Sequence, residues 1–340
     1  MPVKWGIVST AHINRLFLAG ARQSDHVEIL AVASRDRPRA DRYAQENGIE
    51  RAHGSYDALL ADPDVEAVYI SLPNSLHIEW TIKALEAGKH VLCEKPLSRR
   101  TSDVNLAFDI AERNHRLLME GFMYRHNPQT RRLSDLVAQQ VVGRIRIIRA
   151  AFGFVAHDPA NVRLSAALDG GALMDVGCYC VSGARLVAGE PTRVMGEQAL
   201  GGEGGGVDIA FAGVMRFQND VLAHFDAGLA VASRDLLEVV GDQGTLRLTD
   251  PWHCRRPGID LLRHDGDEIE RIEIEPTNSY RLEADNMSAA IRGAAPLLLD
   301  RADAIGQARA IEALYEAADN GRAVTLSRDE PRTSRYPPHA

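Results

Sequence analysis

A lysine ends an apolar run in the first third of the chain. The segment Val91–Pro96 (VLCEKP) predicts a short buried strand that stops at an acid, a lysine and a proline. In an open α/β sheet, ligands bind beyond the carboxyl ends of the strands, so we expect Lys95 at the mouth of the site that the sheet builds. The alternative is that Lys95 is a solvated surface charge, the usual state of a lysine after a strand.

A polar turn follows the first predicted strand, Lys4–Ser9, where a dinucleotide-binding fold places its G-x-G-x-x-G turn. Ser9, Ala11 and Asn14 occupy the three glycine positions, so the match is weak. Backbone N–H groups at a helix start still hold a pyrophosphate, and the hydroxyls add donors. A plain strand-to-helix turn is the alternative. The cofactor contacts predicted here are Ser9, Thr10, Ala11, His12 and Ile13.

The second predicted strand ends in Ser34-Arg35-Asp36, roughly 20 residues further on, where an acidic residue commonly binds the adenosine ribose. A hydroxyl and a guanidinium here suit a 2′-phosphate, which Arg35 grips through charge-assisted contacts with help from Arg37 or Arg39. The sequence therefore favours NADP, with NAD as the alternative. In that alternative Arg35 is a solvated charge and Asp36 serves a free ribose.

The segment Leu72-Pro73-Asn74-Ser75-Leu76-His77 ends a later strand and opens a helix. Asn74 or Ser75 can cap that helix, and the same loop passes over the expected nicotinamide half of the cofactor. His77, one turn into the helix, is expected to be held behind the site and not to act as an acid. The cofactor contacts predicted at the two loops are Leu72, Pro73, Asn74, His77, Glu94 and Lys95.

The order of predicted elements specifies two domains. Strands and helices alternate as far as about Tyr124, which predicts a doubly wound parallel sheet. A helix and several strand-like runs follow, with short turns that suit antiparallel pairing. With 340 residues, two domains are expected. We predict a dinucleotide-binding domain over 1–124, a substrate and dimerisation domain over 125–330 and a tail over 331–340, with helix 302–320 as a candidate to pack back on the first domain.

Composition excludes several classes of protein. The net charge of -8 argues against nucleic acid or an anionic membrane as the principal partner. No apolar run approaches the roughly 20 residues that cross a bilayer, so a cytoplasmic location is expected. The four cysteines have neither disulfide-framework nor zinc spacing, and no metal is expected.

Four ordered segments resemble the Gfo/Idh/MocA oxidoreductases: Trp5–Ser9, Pro73–His77, Glu94–Pro96 and Gly170–Tyr179. The resemblance spans almost the whole length. It is nearest to the branch with dihydrodiol dehydrogenases, glucose-fructose oxidoreductase, xylose dehydrogenases and deoxysugar 3-ketoreductases. It implies a Rossmann domain followed by an α+β domain with a large, mostly antiparallel open sheet, often used for homodimerisation. The chain departs from the family at Ala11 and Asn14, and at Asp169, where a third glycine is common.

The segment Asp175-x-Gly177-x-Tyr179 follows the version of the motif that carries tyrosine. The resemblance assigns Tyr179 as proton donor or acceptor, with Lys95 and Asp175 beside it. A tyrosine pKa near 10 must fall by about three units to serve as a base at pH 7, which requires roughly 4 kcal/mol. One ammonium at about 4 Å with an effective dielectric near 20 supplies about that much. The alternative for Tyr179 is a half-buried aromatic of structural importance only.

Four further polar residues are candidates for substrate contact. Arg125 and His126 follow the last strand of the first domain, and Asn161 and Arg163 lie in the loop before the Asp175 helix. Each is polar and near the expected mouth, although each alone also fits a structural role.

These residues together predict an NADP-dependent oxidoreductase that interconverts a hydroxyl and a carbonyl on a sugar, sugar derivative or cyclic polyol. The small-molecule substrate is carbohydrate-like. Reduction of a nucleotide-linked 3-ketosugar is the alternative enzyme reaction. A non-catalytic dinucleotide-sensing regulator on the same fold is the alternative from another class.

Overall fold

The computed structural model describes residues 1–201, 206–263 and 269–326. By their internal contacts these residues form two compact units. The first comprises Met1–Met123 and Asn278–Ile305, and the second comprises Tyr124–Thr277 and the described residues from Gly306 onward. Among the described residues no helix is both long and apolar enough to cross a membrane.

The first unit is built on a six-stranded parallel sheet with strand order β3-β2-β1-β4-β5-β6. Its strands are β1 (Val3–Val8), β2 (Val27–Ala33), β3 (Arg51–His53), β4 (Ala67–Ile70), β5 (His90–Glu94) and β6 (Leu118–Gly121). Its helices are α1 (Asn14–Ala21), α2 (Arg37–Asn47), α3 (Tyr56–Leu60), α4 (His77–Glu86) and α5 (Thr101–Arg113). The predicted doubly wound parallel sheet is confirmed.

Parallel strands are covered on both faces, which is why these segments are continuous apolar runs. All four residues of β4 are buried, and Trp5 and Phe17 are fully buried beside the sheet. All carboxyl ends of such a sheet lie at one edge, so β1 and β5 deliver their following loops to the same edge.

A late segment completes the first unit. The helix α8 (Ser279–Ile291) packs on α1, and the approach is so close at Gly20 that an added Cβ would lie 2.5 Å from the backbone nitrogen of Arg281. The Trp5 indole N–H donates to the Ser288 hydroxyl at 3.2 Å. Helix 302–320 was predicted as a candidate for such a return; the segment that belongs to the first unit is Asn278–Ile305, which includes only the beginning of that helix.

The second unit is built on a nine-stranded sheet with order β14-β13-β12-β11-β7-β10-β9-β8-β15. Its strands are β7 (Ile145–Val155), β8 (Arg193–Gly201), β9 (Val207–Arg216), β10 (Leu222–Gly228), β11 (Ala230–Gly241), β12 (Gly244–Leu248), β13 (Gly258–Arg263), β14 (Ile269–Glu273) and β15 (Val324–Thr325). Helices α6 (Pro128–Ala138) and α7 (Cys178–Ala188) lie wholly in this unit, and α9 (Arg301–Asn320) enters it at Gly306.

This sheet is mostly antiparallel, as predicted, with one parallel pair at its centre. Strand β7 pairs in parallel with β10, with Ile147 opposite Leu222, and antiparallel with β11. Short turns join the antiparallel pairs, Gln218–Asp220 between β9 and β10 and Asp242–Gln243 between β11 and β12. Strands β7 and β10 were predicted as antiparallel candidates, and each has an antiparallel partner, β11 and β9 respectively, besides the parallel pair that they form together. The predicted tail over 331–340 lies outside the described residues.

Candidate functional site

Lys95 stands immediately after β5 at the carboxyl edge of the parallel sheet, and its side chain is half-buried. The preceding Glu94 is anchored, because its Oε1 accepts a hydrogen bond from the Tyr69 hydroxyl at 2.5 Å. The Tyr69 ring is fully buried and stacks on Phe17 with centroids 3.9 Å apart. Burial and the Glu94 charge raise the pKa of Tyr69 well above its usual value, which keeps the phenol a donor. The strand end that presents Lys95 is therefore rigidly fixed.

His77 links the two loops of this edge. It is 1% exposed, and its ring nitrogens lie 2.9 Å and 2.8 Å from the carbonyl oxygens of Pro96 and Leu72. A single 3₁₀ turn over Asn74–Leu76 leads into α4. Leu72 is buried and Asn74 is half-buried. The predicted loop contacts thus lie next to the Lys95 loop, with His77 as the structural bridge.

The glycine-poor turn is held by side chains. Ser9 adopts φ 120°, a conformation that ordinarily favours glycine. Its hydroxyl lies 2.8 Å from the Ser71 hydroxyl and accepts from the Ala11 N–H at 3.1 Å. The buried Asn14 donates to the Ser9 carbonyl at 3.0 Å and accepts from Ser71 at 2.5 Å. The Ser9 hydroxyl is thus engaged in hydrogen bonds inside the turn.

The remaining turn residues are more accessible. Thr10, Ala11 and Ile13 are half-buried and His12 is exposed. The loop from β1 to α1 therefore presents backbone and side chains at the carboxyl edge of the parallel sheet, the edge at which open α/β sheets bind ligands.

Two arginines cluster after β2. Burial raises the pKa of Tyr56, and the guanidinium groups of Arg35 and Arg39 oppose that rise, with Arg35 also hydrogen-bonded to the phenol. Both arginines are exposed, and among the described residues neither pairs with a carboxylate, whereas Arg37 pairs with Asp41 at 2.8 Å. Ser34 is buried and accepts from the Asp36 N–H at 3.3 Å. Two guanidinium groups without a carboxylate partner among the described residues therefore lie together beyond β2.

The second unit brings three predicted residues together. Asp175 lies in a π-helical turn, Leu173–Gly177, that continues into α7, where the sequence indicated an ordinary helical turn. Its Oδ2 accepts from Arg163 Nε at 2.7 Å, and the Arg163 backbone N–H donates to Asn161 Oδ1 at 3.1 Å. The side chain of Arg163 is 41% exposed and that of Asp175 is 13% exposed. The pair can therefore orient polar groups of a ligand.

Tyr179, in the first turn of α7, is packed among aromatic rings. The centroids of Tyr124, Phe152 and Trp252 lie 5.7, 5.4 and 6.0 Å from its own. The Trp252 indole N–H donates to the Ala151 carbonyl at 2.9 Å, which locks that ring to β7. An apolar box of this kind fixes the direction of the Tyr179 phenol.

Arg125 and His126 differ in environment. Arg125 is half-buried and donates to the Ser182 hydroxyl of α7 at 3.4 Å. His126 is fully buried, and neither ring nitrogen has a hydrogen-bond partner among the described residues. Burial, with Arg131 and Arg125 nearby, lowers the pKa of His126 to about 3, so the ring is neutral.

Sequence reasoning missed a buried acid in the first unit. Glu283 on α8 is fully buried, and neither carboxyl oxygen has a partner among the described residues. Burial and the charge of Glu94 raise the pKa of Glu283 well above its ordinary value, which favours the neutral carboxylic acid. The sequence signal in this region is Asn278, which caps α8 by accepting from the backbone N–H groups of Tyr280 and Arg281. It marks the start of the helix and not the burial of Glu283.

The four cysteines are free and buried. Among the described residues one group has ligand atoms close enough to hold a metal ion, Asp235, Asp250 and His253. Asp250 already accepts from the backbone N–H groups of Arg255 and Arg256 at 2.6 and 2.8 Å, so it has a structural role in that turn.

Comparison with known proteins places these features in a context. A family model described as "Oxidoreductase family, NAD-binding Rossmann fold" matches residues 3–122, and the GFO/IDH/MocA C-terminal domain model matches residues 130–247. The chain is 36% identical over 324 residues to the D-xylose 1-dehydrogenase (NADP(+)) 2 of Haloferax volcanii, which covers 95% of this chain and 99% of that protein.

Two solved structures are similar over nearly the full length. The aldose-aldose oxidoreductase of Caulobacter crescentus, complexed with glycerol, has a TM-score of 0.88 and 26% identity and covers 96% of this chain and 100% of its own. A 3-ketoreductase of Actinomadura kijaniata, in complex with NADP and TDP-benzene, has a TM-score of 0.86 and 30% identity and covers 93% and 98%.

Proposed function

The chain belongs to the Gfo/Idh/MocA oxidoreductase family, and we propose that it is an NADP-dependent enzyme that interconverts a hydroxyl and a carbonyl on a sugar, sugar derivative or cyclic polyol. The observation that carries the proposal is the placement of Lys95 directly beyond β5, with Glu94 fixed by Tyr69. The nearly full-length similarity to a D-xylose 1-dehydrogenase (NADP(+)) supports the substrate class.

The preference for NADP rests on the arginines after β2. Arg35 and Arg39 lie near the Tyr56 hydroxyl and carry charge that no described carboxylate neutralises. A 2′-phosphate is dianionic and accepts bidentate contacts, so it would stabilise both guanidinium groups. The network of Ser9, Ser71 and Asn14 holds the β1 turn open for the pyrophosphate.

In the oxidative direction the proposed roles are as follows. NADP, when bound, supplies the nicotinamide carbon that accepts the hydride. Tyr179 takes the hydroxyl proton, and in reduction it returns that proton to the carbonyl oxygen. Lys95 donates a hydrogen bond to the substrate oxygen and favours the phenolate form of Tyr179. Asp175, held by Arg163, orients a neighbouring substrate hydroxyl.

The decisive experiment follows nicotinamide absorbance with NADP and NAD offered separately to a panel of aldoses, deoxysugars, inositols and dihydrodiols. We expect turnover of one class, preferentially with NADP. Lys95→Ala should lower kcat at least about 100-fold, because the phenolate loses its ammonium partner, while the Kd for NADP changes little.

Matched variants separate the parts of this proposal. Lys83→Ala, on the outside of α4 and paired with Glu79, should turn over normally. Arg35→Ala should raise the Kd for NADP but not for NAD, and Arg37→Ala, whose charge is already paired, should change neither. Unchanged turnover in Lys95→Ala would contradict the mechanism. NADP binding without turnover on any substrate would favour the regulatory alternative.

Reduction of a nucleotide-linked 3-ketosugar is the second candidate. The similarity to the 3-ketoreductase complexed with NADP and TDP-benzene supports it, as does the partly exposed Arg163, a cation suited to a diphosphate. Turnover confined to a nucleotide-linked ketosugar would select this reaction over the free sugar.

We also propose a homodimer through the nine-stranded sheet. One face of strands β8, β9 and β10 exposes three apolar side chains among polar ones, with Met195 opposite Val214 and Leu222 on the next strand. Contiguous exposed apolar surface marks an interaction site. Sedimentation velocity should give the mass of two chains, and a monomer at micromolar concentration would contradict this proposal.

A further inference from the structure

We propose that Asp208, braced by Tyr315, is a positioning residue that sets the turn carrying Asp175 and Tyr179. This inference rests on the role proposed above for Tyr179. Neither Asp208 nor Tyr315 belongs to a motif that the sequence analysis singled out, and both lie in the second unit with the residues they would position.

Asp208 meets the beginning of the π-helical turn directly. It lies on β9 and is 2% exposed. Its Oδ2 accepts from the Leu173 backbone N–H at 2.6 Å, and its Oδ1 accepts from the Tyr315 hydroxyl at 2.9 Å. A buried carboxyl between two donors is held in one orientation, so it fixes the start of the turn two residues before Asp175.

The same carboxyl also packs against Gly171, which lies just before the π-helical turn. Gly171 has φ 118°, and a Cβ added there would lie 2.1 Å from Asp208 Oδ1. The Gly171 N–H donates to the Arg163 carbonyl at 2.8 Å. Because Arg163 is the partner of Asp175, the contact at Asp208 constrains both ends of that ion pair.

The far end of the turn is tied to α9 as well. Gln307 donates to the Cys178 carbonyl at 2.7 Å and accepts from Arg185 at 3.0 Å. A π-helical turn has poorer internal hydrogen bonding than an α-helix and persists where surrounding groups support it. Tyr315 and Gln307 are both on α9, so this helix supports the turn at both of its ends.

The test compares Asp208→Ala, Asp208→Asn and Tyr315→Phe in the full chain. Asp208→Ala should lower kcat about 10- to 100-fold with a smaller change in KM, because a misplaced proton carrier costs rate more than binding. Asp208→Asn retains an acceptor for Leu173 and should recover most of kcat. Tyr315→Phe removes only the hydroxyl that donates to Asp208, so its kcat should lie between those of the two Asp208 variants and the pH profile of kcat should shift.

A second readout does not depend on turnover. The titration of Tyr179 is measured as the ultraviolet difference between each variant and the same variant carrying Tyr179→Phe. We expect its midpoint to move in Asp208→Ala and Tyr315→Phe, and to stay near that of the unsubstituted protein in Asp208→Asn. Leu261→Ala, a core change in β13, is the control that destabilises the same unit without moving this titration.

The outcomes are distinguishable. If the variants unfold more easily but keep kcat, KM and the Tyr179 titration, Asp208 is structural only and the proposal is overturned. If the unsubstituted protein shows no turnover on any substrate, the proposed function fails, and the titration alone then decides whether Asp208 positions Tyr179.

Discussion

Two turns of this protein each contain a residue with nearly the same unusual positive φ, and they accommodate it by different means. Ser9 after β1 has φ 120°, and Gly171 before the π-helical turn has φ 118°. In the first turn a side chain is tolerated because uncharged hydroxyl and amide groups of Ser71 and Asn14 tie it down. In the second turn glycine is required because a carboxyl oxygen of Asp208 occupies the space of a Cβ. The lesson is that a missing glycine does not imply a missing turn.

The largest expected effect concerns the turn at Gly171, where Asp208 leaves no space for a Cβ. Gly171→Ala places a Cβ in strained backbone and against Asp208, and should lower the free energy of unfolding by about 3 kcal/mol or more. Gly189→Ala is the matched control, because Gly189 also has positive φ, 80°, but no atom within 4 Å. Gly189→Ala should lower the free energy of unfolding by about 1 kcal/mol. Equal losses in urea unfolding would show that the Asp208 contact is unimportant.

An intermediate effect concerns the turn at Ser9, which Asn14 and Ser71 hold by hydrogen bonds. Asn14→Gly installs the glycine of the dinucleotide-binding fingerprint but removes two buried hydrogen bonds, so we expect a loss of about 2 kcal/mol in unfolding free energy and weaker NADP binding. Arg15→Gly, at the neighbouring exposed position of α1, measures the helix cost of glycine alone, about 1 kcal/mol. A more stable Asn14→Gly protein would show that the hydrogen bonds of Asn14 do not hold this turn.

The smallest effect extends the comparison to buried acids, because Asp208 has donors whereas the oxygens of Glu283 have no described partner. The raised pKa of Glu283 means that the folded state keeps a proton that the unfolded state loses above about pH 4.5. Stability from this group therefore falls as the pH rises, by at most about 1.4 kcal/mol per pH unit.

Glu283→Gln cannot ionise, so its stability relative to the unsubstituted protein should rise by at least about 1 kcal/mol between pH 4 and pH 7. Thermal unfolding between pH 4 and 8 measures the difference. Glu86→Gln, exposed on α4, should show no such pH dependence. A constant difference across the range would mean that Glu283 is ionised in the folded protein.

The sequence predicted what local pattern encodes. Continuous apolar runs and helix signals gave the parallel sheet and the place of Lys95 at its edge, because both follow from residues near in the chain. Ser9 and Asn14 were recognised as departures from the glycine turn. Their function as a network was not predictable, since it depends on Ser71 from a distant strand end.

Other elements lack a local signal. Strand β14 is almost wholly exposed and shows no apolar alternation, so it was missed. The parallel pairing of β7 with β10 escapes prediction because an alternating pattern does not specify strand direction. Asp208 was missed for a further reason: its partners Leu173 and Tyr315 lie far away along the chain.

The return of α8 to the first unit has a consequence for biosynthesis. The indole of Trp5 is translated well before its partner Ser288, which leaves the ribosome only after all of Tyr124–Thr277 has been made. Until then the face of α1 that Tyr280 and Arg281 cover stays bare. The first unit therefore starts to fold before the second unit but cannot finish before it. A nascent chain that stalls within Tyr124–Thr277 has an incomplete Rossmann core, whose exposed apolar surface is a target for chaperones.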